Sequence, residues 1–135
     1  MSAVMQILQP PGWARAKGFS NGISCKGRLV FIAGQIGWTG QGEWRDKSFA
    51  GQFRQALQNI ISVLNEAHGK PEHIVRLTWY VLDKQEYLSS LKEVGAAYRE
   101  LMGRHFPTMA VVQVSGLVED EARLEIEATA VVPET

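Results

Sequence analysis

The chain has 135 residues, 45% of them hydrophobic and 21% charged, which is the composition of one ordinary globular domain. Lys plus Arg and Asp plus Glu each number 14, so the formal net charge is zero. This balance argues against a protein dedicated to nucleic acid, which needs a basic excess. The lone Cys25 cannot form an internal disulfide and favours a reducing compartment. The sequence has neither a signal-peptide pattern nor a run of 18 apolar residues, so we expect a cytoplasmic protein without membrane contact.

The first third of the chain predicts a β-hairpin. Residues 1–18 are interrupted by prolines and glycines and indicate an irregular lead-in. The apolar runs 19–25 and 29–36 are joined by Lys26-Gly27, where glycine allows the positive φ of a tight turn. Residues 37–46 contain three glycines and indicate a loop.

The middle of the chain predicts two helices around one strand. Apolar residues recur at three- and four-residue spacing over 48–68: Phe49, Phe53, Leu57, Ile60, Ile61 and Leu64. Gly69 is expected to end this helix as its C′ residue, and Pro71 prevents its continuation. Residues 74–82 are rich in β-branched and aromatic residues and indicate a strand.

The second helix is expected to open at Asp83, three residues before Glu86, and to run to about Met102 before Gly103. Its predicted inward residues are Leu88, Leu91, Val94, Tyr98 and Leu101. Two strands, 108–114 and 123–132, close the chain, and the second alternates apolar and polar residues.

The element order ββαβαββ predicts an α+β fold with one mixed sheet and two helices on one of its faces. Two helices leave the second face uncovered, yet the strands are apolar on both sides: Leu29 and Phe31 oppose Val30 and Ile32 in the strand at 29–36. A soluble monomer rarely exposes such a patch. We therefore expect another subunit to bury it in closed symmetry; the alternative is that the N-terminal lead-in folds over it.

Several segments resemble a known family in their order and spacing over nearly the whole chain. They are Phe19-Ser-Asn-Gly22, Leu29-Val-Phe-Ile-Ala-Gly-Gln-Ile36, Ala56-Leu-Gln-Asn59, Ile74-Val-Arg-Leu-Thr-Trp-Tyr-Val81, Phe106-Pro107 and Leu124-Glu-Ile-Glu-Ala-Thr-Ala130. Together they resemble the RidA family, also called the YjgF family. The resemblance implies a chorismate-mutase-like homotrimer with three inter-subunit clefts. It also implies hydrolysis of reactive enamines and imines, such as 2-aminoacrylate, to keto acids and ammonia.

Three positions depart from the family pattern. Deaminating members carry, just after Phe-Pro, an arginine that pairs with the substrate carboxylate, a role that suits a planar guanidinium. Met109 stands there in this chain and offers neither charge nor hydrogen-bond donor. Phe19 stands where the family often has tyrosine, and Ala33 where it often has serine. These three losses from one inferred cleft indicate a more apolar or differently charged ligand.

Three cleft residues match the family. The resemblance implies that Glu125 orients a water, which a general base within hydrogen-bond reach could activate. It also implies a backbone N–H from Gly34 for a ligand carboxylate, with Gln35 shaping the cleft. Alternatively, Glu125 and Glu127 are a solvated pair or partners of arginines such as Arg76; for Glu127 this alternative is favoured.

Other candidate residues give weaker evidence of a function. His68, His73 and His105 have no metal-ligand spacing, and Cys25 has no evident base, so we expect neither metal nor cofactor. Trp38 or Trp44, on the loop after the Gly-Gln strand, is hypothesised to form an aromatic wall of the cleft; local packing is the alternative.

Two functions from different classes stay open. The first is an imine or enamine deaminase acting on a substrate other than 2-aminoacrylate, for instance one like an aminomuconate. The second is a non-catalytic trimer that binds a small metabolite or a regulatory partner. Some relatives are called endoribonucleases, but the neutral charge argues against RNA as the main substrate.

Overall fold

The computed structural model describes residues 5–134 of the chain. Six strands and three helices follow one another as β1 (Met5–Leu8), β2 (Gly22–Cys25), β3 (Arg28–Gln35), α1 (Phe49–Glu66), β4 (Ile74–Val81), α2 (Lys84–Ser89), α3 (Leu91–Met102), β5 (Thr108–Gln113) and β6 (Leu124–Val132). A 3₁₀ turn, Pro71–His73, precedes β4. The α+β class is confirmed, with two sheets instead of the single predicted one.

The main sheet has the strand order β3-β6-β4-β5, with β4 and β5 parallel and the other pairs antiparallel. The helices α1 and α3 pack on one face of it, so that alternate residues of β6 (Leu124, Ile126, Ala128 and Ala130) are buried beneath them. The intervening Glu125, Glu127 and Thr129 face the side without helices.

The predicted β2–β3 hairpin is wrong. Strand β2 pairs with β1 in a separate two-stranded sheet, and β3 pairs with β6. Gly27 does have a positive φ of 151°, but a Cβ there would overlap the carbonyl oxygen of Val132. Glycine is therefore needed for close approach to β6 and not for a hairpin turn. The lead-in is also more ordered than predicted, since it contains β1; residues 1–4 lie outside the described part.

Helix α1 matches its prediction closely at the start. The Ser48 side chain caps it by accepting from the Gly51 N–H. At the end, the left-handed residue is His68 (φ 60°) and not Gly69. Gly69 is required for another reason, because a Cβ there would overlap the Leu64 side chain.

The second predicted helix is two helices. Asp83 caps α2 through Gln85 N–H (2.9 Å), as the sequence indicates. The helix breaks at Ser90, after Ser89 Oγ donates to the Glu86 carbonyl (3.1 Å), a side-chain bond that competes with the helical pattern. The break turns Leu88 and Leu91 outward, 46% and 48% exposed, so their predicted inward placement is wrong.

The helix-free face remains open in the single chain. Phe31 is 74% exposed and Leu29 is 64% exposed, whereas Val30 is half-buried and Ile32 is buried on the opposite face of the strand. The described N-terminal residues therefore do not cover this part of the face, contrary to the alternative raised from the sequence.

Candidate functional site

The outer strand β3 ends in a β-bulge. From Ile32 to Gln35 the strand advances three residues, while β6 opposite advances two, from Ala128 to Ile126. Gln35 Nε2 donates to the Ala33 carbonyl across the bulge (3.1 Å). Bulges re-aim residues beside functional sites. Here the extra residue lies at Ala33–Gly34 and brings Gly34 against β6.

The Glu125 carboxylate packs against the Cα atom of Gly34. A Cβ built at Gly34 would overlap Glu125 Oε2 and stand 2.8 Å from its Cδ, so the carboxylate could not keep this position beside any other residue. Among the described residues, none forms a hydrogen bond or salt bridge with this carboxylate. Glu125 is half-buried and its oxygens are free to bind water.

Glu127, two residues further along the same face, is already engaged. It accepts a hydrogen bond from the Tyr80 hydroxyl (2.7 Å). This bond is the main reason that the pKa of Tyr80 is raised above its ordinary value. The favoured structural interpretation of Glu127 therefore agrees with its contacts, although its partner is Tyr80 and not the suggested Arg76.

Phe19 and Met109 meet in a different place, a cavity of about 510 Å³ on the helix side of the sheet. Met109 lies on β5 and packs against the core. Phe19 precedes Ser20, which forms a parallel bridge to Thr108 at the edge of β5. Trp79 of β4 and Tyr98 of α3 line the same cavity.

The six residues singled out from the sequence thus form two groups within one chain. Ala33, Gly34, Gln35 and Glu125 lie on β3 and β6, whereas Phe19 and Met109 lie at the β5 edge. The outer strands are separated by three strand spacings, about 14 Å. One chain alone therefore does not bring the two groups together.

The two loop tryptophans pack against each other, with ring centroids 5.8 Å apart. Trp38 also borders a groove that includes Gln35. Local packing thus accounts for the pair. A role as a cleft wall stays a prediction.

Two of the histidines form hydrogen bonds with backbone groups. His73 Nδ1 accepts from the Lys70 N–H (2.9 Å), and His105 Nε2 lies 2.6 Å from the Ile74 carbonyl. Cys25 is a half-buried free thiol on β2. Between residues 5 and 134, His, Cys, Asp and Glu form no group of three that could hold a metal ion. No helix in this range has the length and apolar character needed to cross a bilayer.

Nothing in the sequence indicated that Trp79 and Tyr98 line one cavity; Tyr98 was predicted only as an inward helix residue. The cavity is lined in part by α3, and the helix break at Ser90 before it is not signalled by helix periodicity.

The chain is similar to known proteins over most of its length. The family model described as Endoribonuclease L-PSP matches residues 12–132. A RutC family protein of Pyrococcus horikoshii is 34% identical over 110 residues, covering 77% of this chain and 79% of the relative. The 2-iminobutanoate/2-iminopropanoate deaminase of Escherichia coli is 31% identical over 108 residues, covering 78% and 80%.

Solved structures show the same fold. YyfB of Yersinia pestis, a Rid family protein of unknown function, superposes with a TM-score of 0.86 at 27% identity over 96% of this chain and all of that one. The Escherichia coli YjgF protein superposes with a TM-score of 0.66 at 32% identity over 78% and 81%. The chain therefore belongs to the Endoribonuclease L-PSP family, which is the RidA/YjgF family.

Proposed function

We propose that the protein hydrolyses an imine or enamine, with Glu125 as the general base. The observation that carries this proposal is the free carboxylate of Glu125, held on Gly34 without a partner among the described residues. Its neighbour Glu127 is bound by Tyr80, so the same strand face offers one engaged and one available carboxylate. The deaminase named among the relatives supports the reaction class.

The reaction needs one base and one water. An enamine first takes a proton on its β-carbon and loses one from nitrogen to become the imine. Glu125 takes a proton from water while the water oxygen bonds to the imine carbon, and passes this proton to the nitrogen, which gives a carbinolamine. Glu125 then takes the carbinolamine hydroxyl proton and delivers it to the nitrogen as the carbon–oxygen double bond forms and the carbon–nitrogen bond breaks, so the products are a keto compound and ammonia. No redox partner is required.

A homotrimer would complete the site. The two residue groups lie at opposite edges of the sheet, and a neighbouring chain can set the β5 edge of one copy beside the β3–β6 group of the next. The exposed Phe31 and Leu29 on the helix-free face support burial by such a neighbour. The free thiol of Cys25 supports a reducing compartment such as the cytoplasm.

The substrate is proposed to differ from 2-aminoacrylate, for instance a conjugated compound like an aminomuconate. Met109 offers no charge for a small substrate carboxylate, and it faces an apolar cavity. The second candidate function is a trimer that binds a metabolite without catalysis, which the same cavity would serve.

Ammonia release from freshly generated 2-aminoacrylate and from larger imines tests the proposal. We expect the wild type to accelerate release from at least one imine, and Glu125→Gln to lose about 10²- to 10⁴-fold. Glu127→Gln is the matched control and should stay near wild type in rate.

The other outcomes discriminate between the candidates. If Met109→Arg alone is active on 2-aminoacrylate, the scaffold is competent but the natural substrate is different. Inactivity of all variants on every imine would overturn the deaminase in favour of the binding trimer. Loss of activity in Glu127→Gln as great as in Glu125→Gln would contradict the role of Glu125.

A further inference from the structure

A groove of about 900 Å³ runs between α1 and the loop that follows β3, on the helix side of the main sheet. Its volume falls in the range of small-molecule sites. None of the described residues that line it is charged, although 21% of the whole chain is. An uncharged ligand is therefore favoured, because an ion would lose water there without gaining a partner charge.

Asn59 of α1 joins the two walls of the groove. Its Nδ2 donates to the Trp38 carbonyl (2.7 Å) and the Ile36 carbonyl (3.3 Å). Because the amide nitrogen is turned to these carbonyls, its Oδ1 is left to accept from Gln55 Nε2 (2.9 Å). The network thus determines which way the Gln55 amide points and holds it in one orientation before a ligand binds.

Two carbonyl oxygens of groove residues lack a hydrogen-bond donor. Gln55 Nε2 is turned to Asn59 and Gln35 Nε2 to the Ala33 carbonyl (3.1 Å), so that each Oε1 has no partner within residues 5–134. Both glutamines are half-buried, yet both oxygens reach solvent, because Trp79 Nε1 is the one buried side-chain nitrogen or oxygen without a partner in that range. Two oriented, accessible acceptors suit a ligand that carries N–H donors.

Trp38 supplies an aromatic wall to the same groove. It is half-buried, its ring packs against Trp44, and its carbonyl is held by Asn59, so its position is fixed from two sides. An indole held in this way offers a flat apolar surface to another ring. This role is distinct from the one predicted for Trp38 in the inter-subunit cleft.

We propose that this groove binds an uncharged aromatic amide, with its ring against Trp38 and its N–H groups donating to Gln35 and Gln55. A primary amide combines two N–H donors with the absence of charge. Gln58 and Ser62, both exposed, line the groove and can donate to the amide oxygen of the ligand. The inference does not rest on the proposed function, since the groove lies on the helix side and the proposed base on the other face.

Three ring compounds of similar size test the chemistry of the groove in NMR titrations of the full chain: benzamide, N,N-dimethylbenzamide and benzoate. We expect benzamide to bind with a Kd on the order of 1–10 mM, as fits so small a ligand. N,N-dimethylbenzamide keeps the ring and the carbonyl but has no N–H donor, and benzoate adds a charge. Each should bind about 5-fold or more weakly than benzamide.

Gln55→Leu removes one of the two acceptors and should reduce the preference for benzamide over N,N-dimethylbenzamide to about twofold or less. Gln85→Leu is the matched control, because Gln85 is an exposed residue of α2 that does not line the groove, and it should leave the preference unchanged. In the wild type, benzamide should shift the side-chain amide signals of Gln35 and Gln55 but not that of Gln85.

Filling the groove tests the location. Ser62→Trp places a large side chain on the exposed α1 wall and is expected to weaken benzamide about 10-fold or more. Asn65→Trp puts the same side chain on α1 outside the groove and should leave the affinity unchanged. Thermal unfolding establishes that both variants fold.

The outcomes separate this inference from the proposed function. Equal affinities for benzamide and N,N-dimethylbenzamide, unchanged affinity in Ser62→Trp, or no binding of benzamide up to about 30 mM would overturn the groove assignment, even if an imine is hydrolysed through Glu125. Selective binding of benzamide by a protein that is inert toward every imine would retain the assignment and refute the deaminase.

Discussion

The Glu125 carboxylate occupies the position that a side chain at residue 34 would need, and Gly34 leaves that position empty. The contact joins two strands of the main sheet at a bulge. It therefore couples the backbone of β3 to the position of the proposed base.

Gly34→Ala is expected to abolish most of the activity attributed to Glu125 and to leave stability nearly unchanged. The atom that a methyl group would overlap is the far end of a flexible side chain, which can swing aside. The measurement is the imine hydrolysis rate together with thermal unfolding. In the double variant Gly34→Ala/Glu125→Gln, the rate should equal that of Glu125→Gln alone. Additive losses would contradict displacement of the carboxylate as the cause.

Phe31→Asp is expected to dissociate the proposed trimer. Phe31 is 74% exposed on the helix-free face, and a charge there would be buried unpaired in an interface. Light scattering after size exclusion should give about three times the 15.0-kDa chain mass for the wild type and the single-chain mass for the variant. Val118→Asp is the control, since Val118 is 93% exposed in the loop between β5 and β6. A monomeric wild type would refute the trimer.

Gln52→Leu is expected to lower the free energy of unfolding by about 1–3 kcal/mol. Gln52 is 1% exposed, and its amide donates to the Glu121 carbonyl (3.0 Å) and accepts from the Arg123 N–H (2.8 Å). Leucine would leave both backbone groups without these partners. Urea unfolding at fixed protein concentration measures the change. The exposed Gln58→Leu serves as the comparison and should stay within about 0.5 kcal/mol of wild type.

His73 is expected to make stability depend on pH. Burial lowers its pKa from 6.5, and its neutral Nδ1 accepts the Lys70 N–H. The unfolded chain therefore binds a proton that the folded chain resists, so this contribution to stability is present above pH 6.5 and is lost as pH falls through the folded pKa.

His73→Asn keeps an acceptor but does not titrate, so it should flatten the fall in unfolding free energy between about pH 7 and pH 5. His68→Asn removes an exposed imidazole at the same end of α1 and should retain the wild-type slope. Identical slopes for wild type and His73→Asn would exclude His73 as the cause.

Helix α1 could be predicted because local chemistry determines it. The apolar spacing from Phe49 to Leu64 and the Ser48 cap suffice for α1. The strand with which another strand pairs can lie far away in the sequence. For this reason the prediction of a β2–β3 hairpin was wrong. Gly27 suits a tight turn in the sequence, but in the fold it avoids Val132, a residue more than 100 positions away.

Only part of the candidate site could be predicted from the sequence. The family pattern pointed to Gly34 and Glu125, which are in contact. It gave no sign that Trp79 Nε1 is buried without a hydrogen-bond partner among residues 5–134, because such partners depend on the three-dimensional surroundings. That Ala33 lies apart from Met109 also depends on strand order, which residue spacing does not reveal.

The bulge at Ala33–Gly34 has a further effect on the free border of β3. An outer strand presents a row of unpaired backbone groups on which foreign strands can grow, and an irregularity breaks that row. The bulge that accommodates the Glu125 carboxylate is thus expected also to hinder pairing of β3 with strands of other chains. Deleting Ala33 would restore regular pairing between β3 and β6 and remove this break in the border, so that loss of solubility would accompany loss of the site.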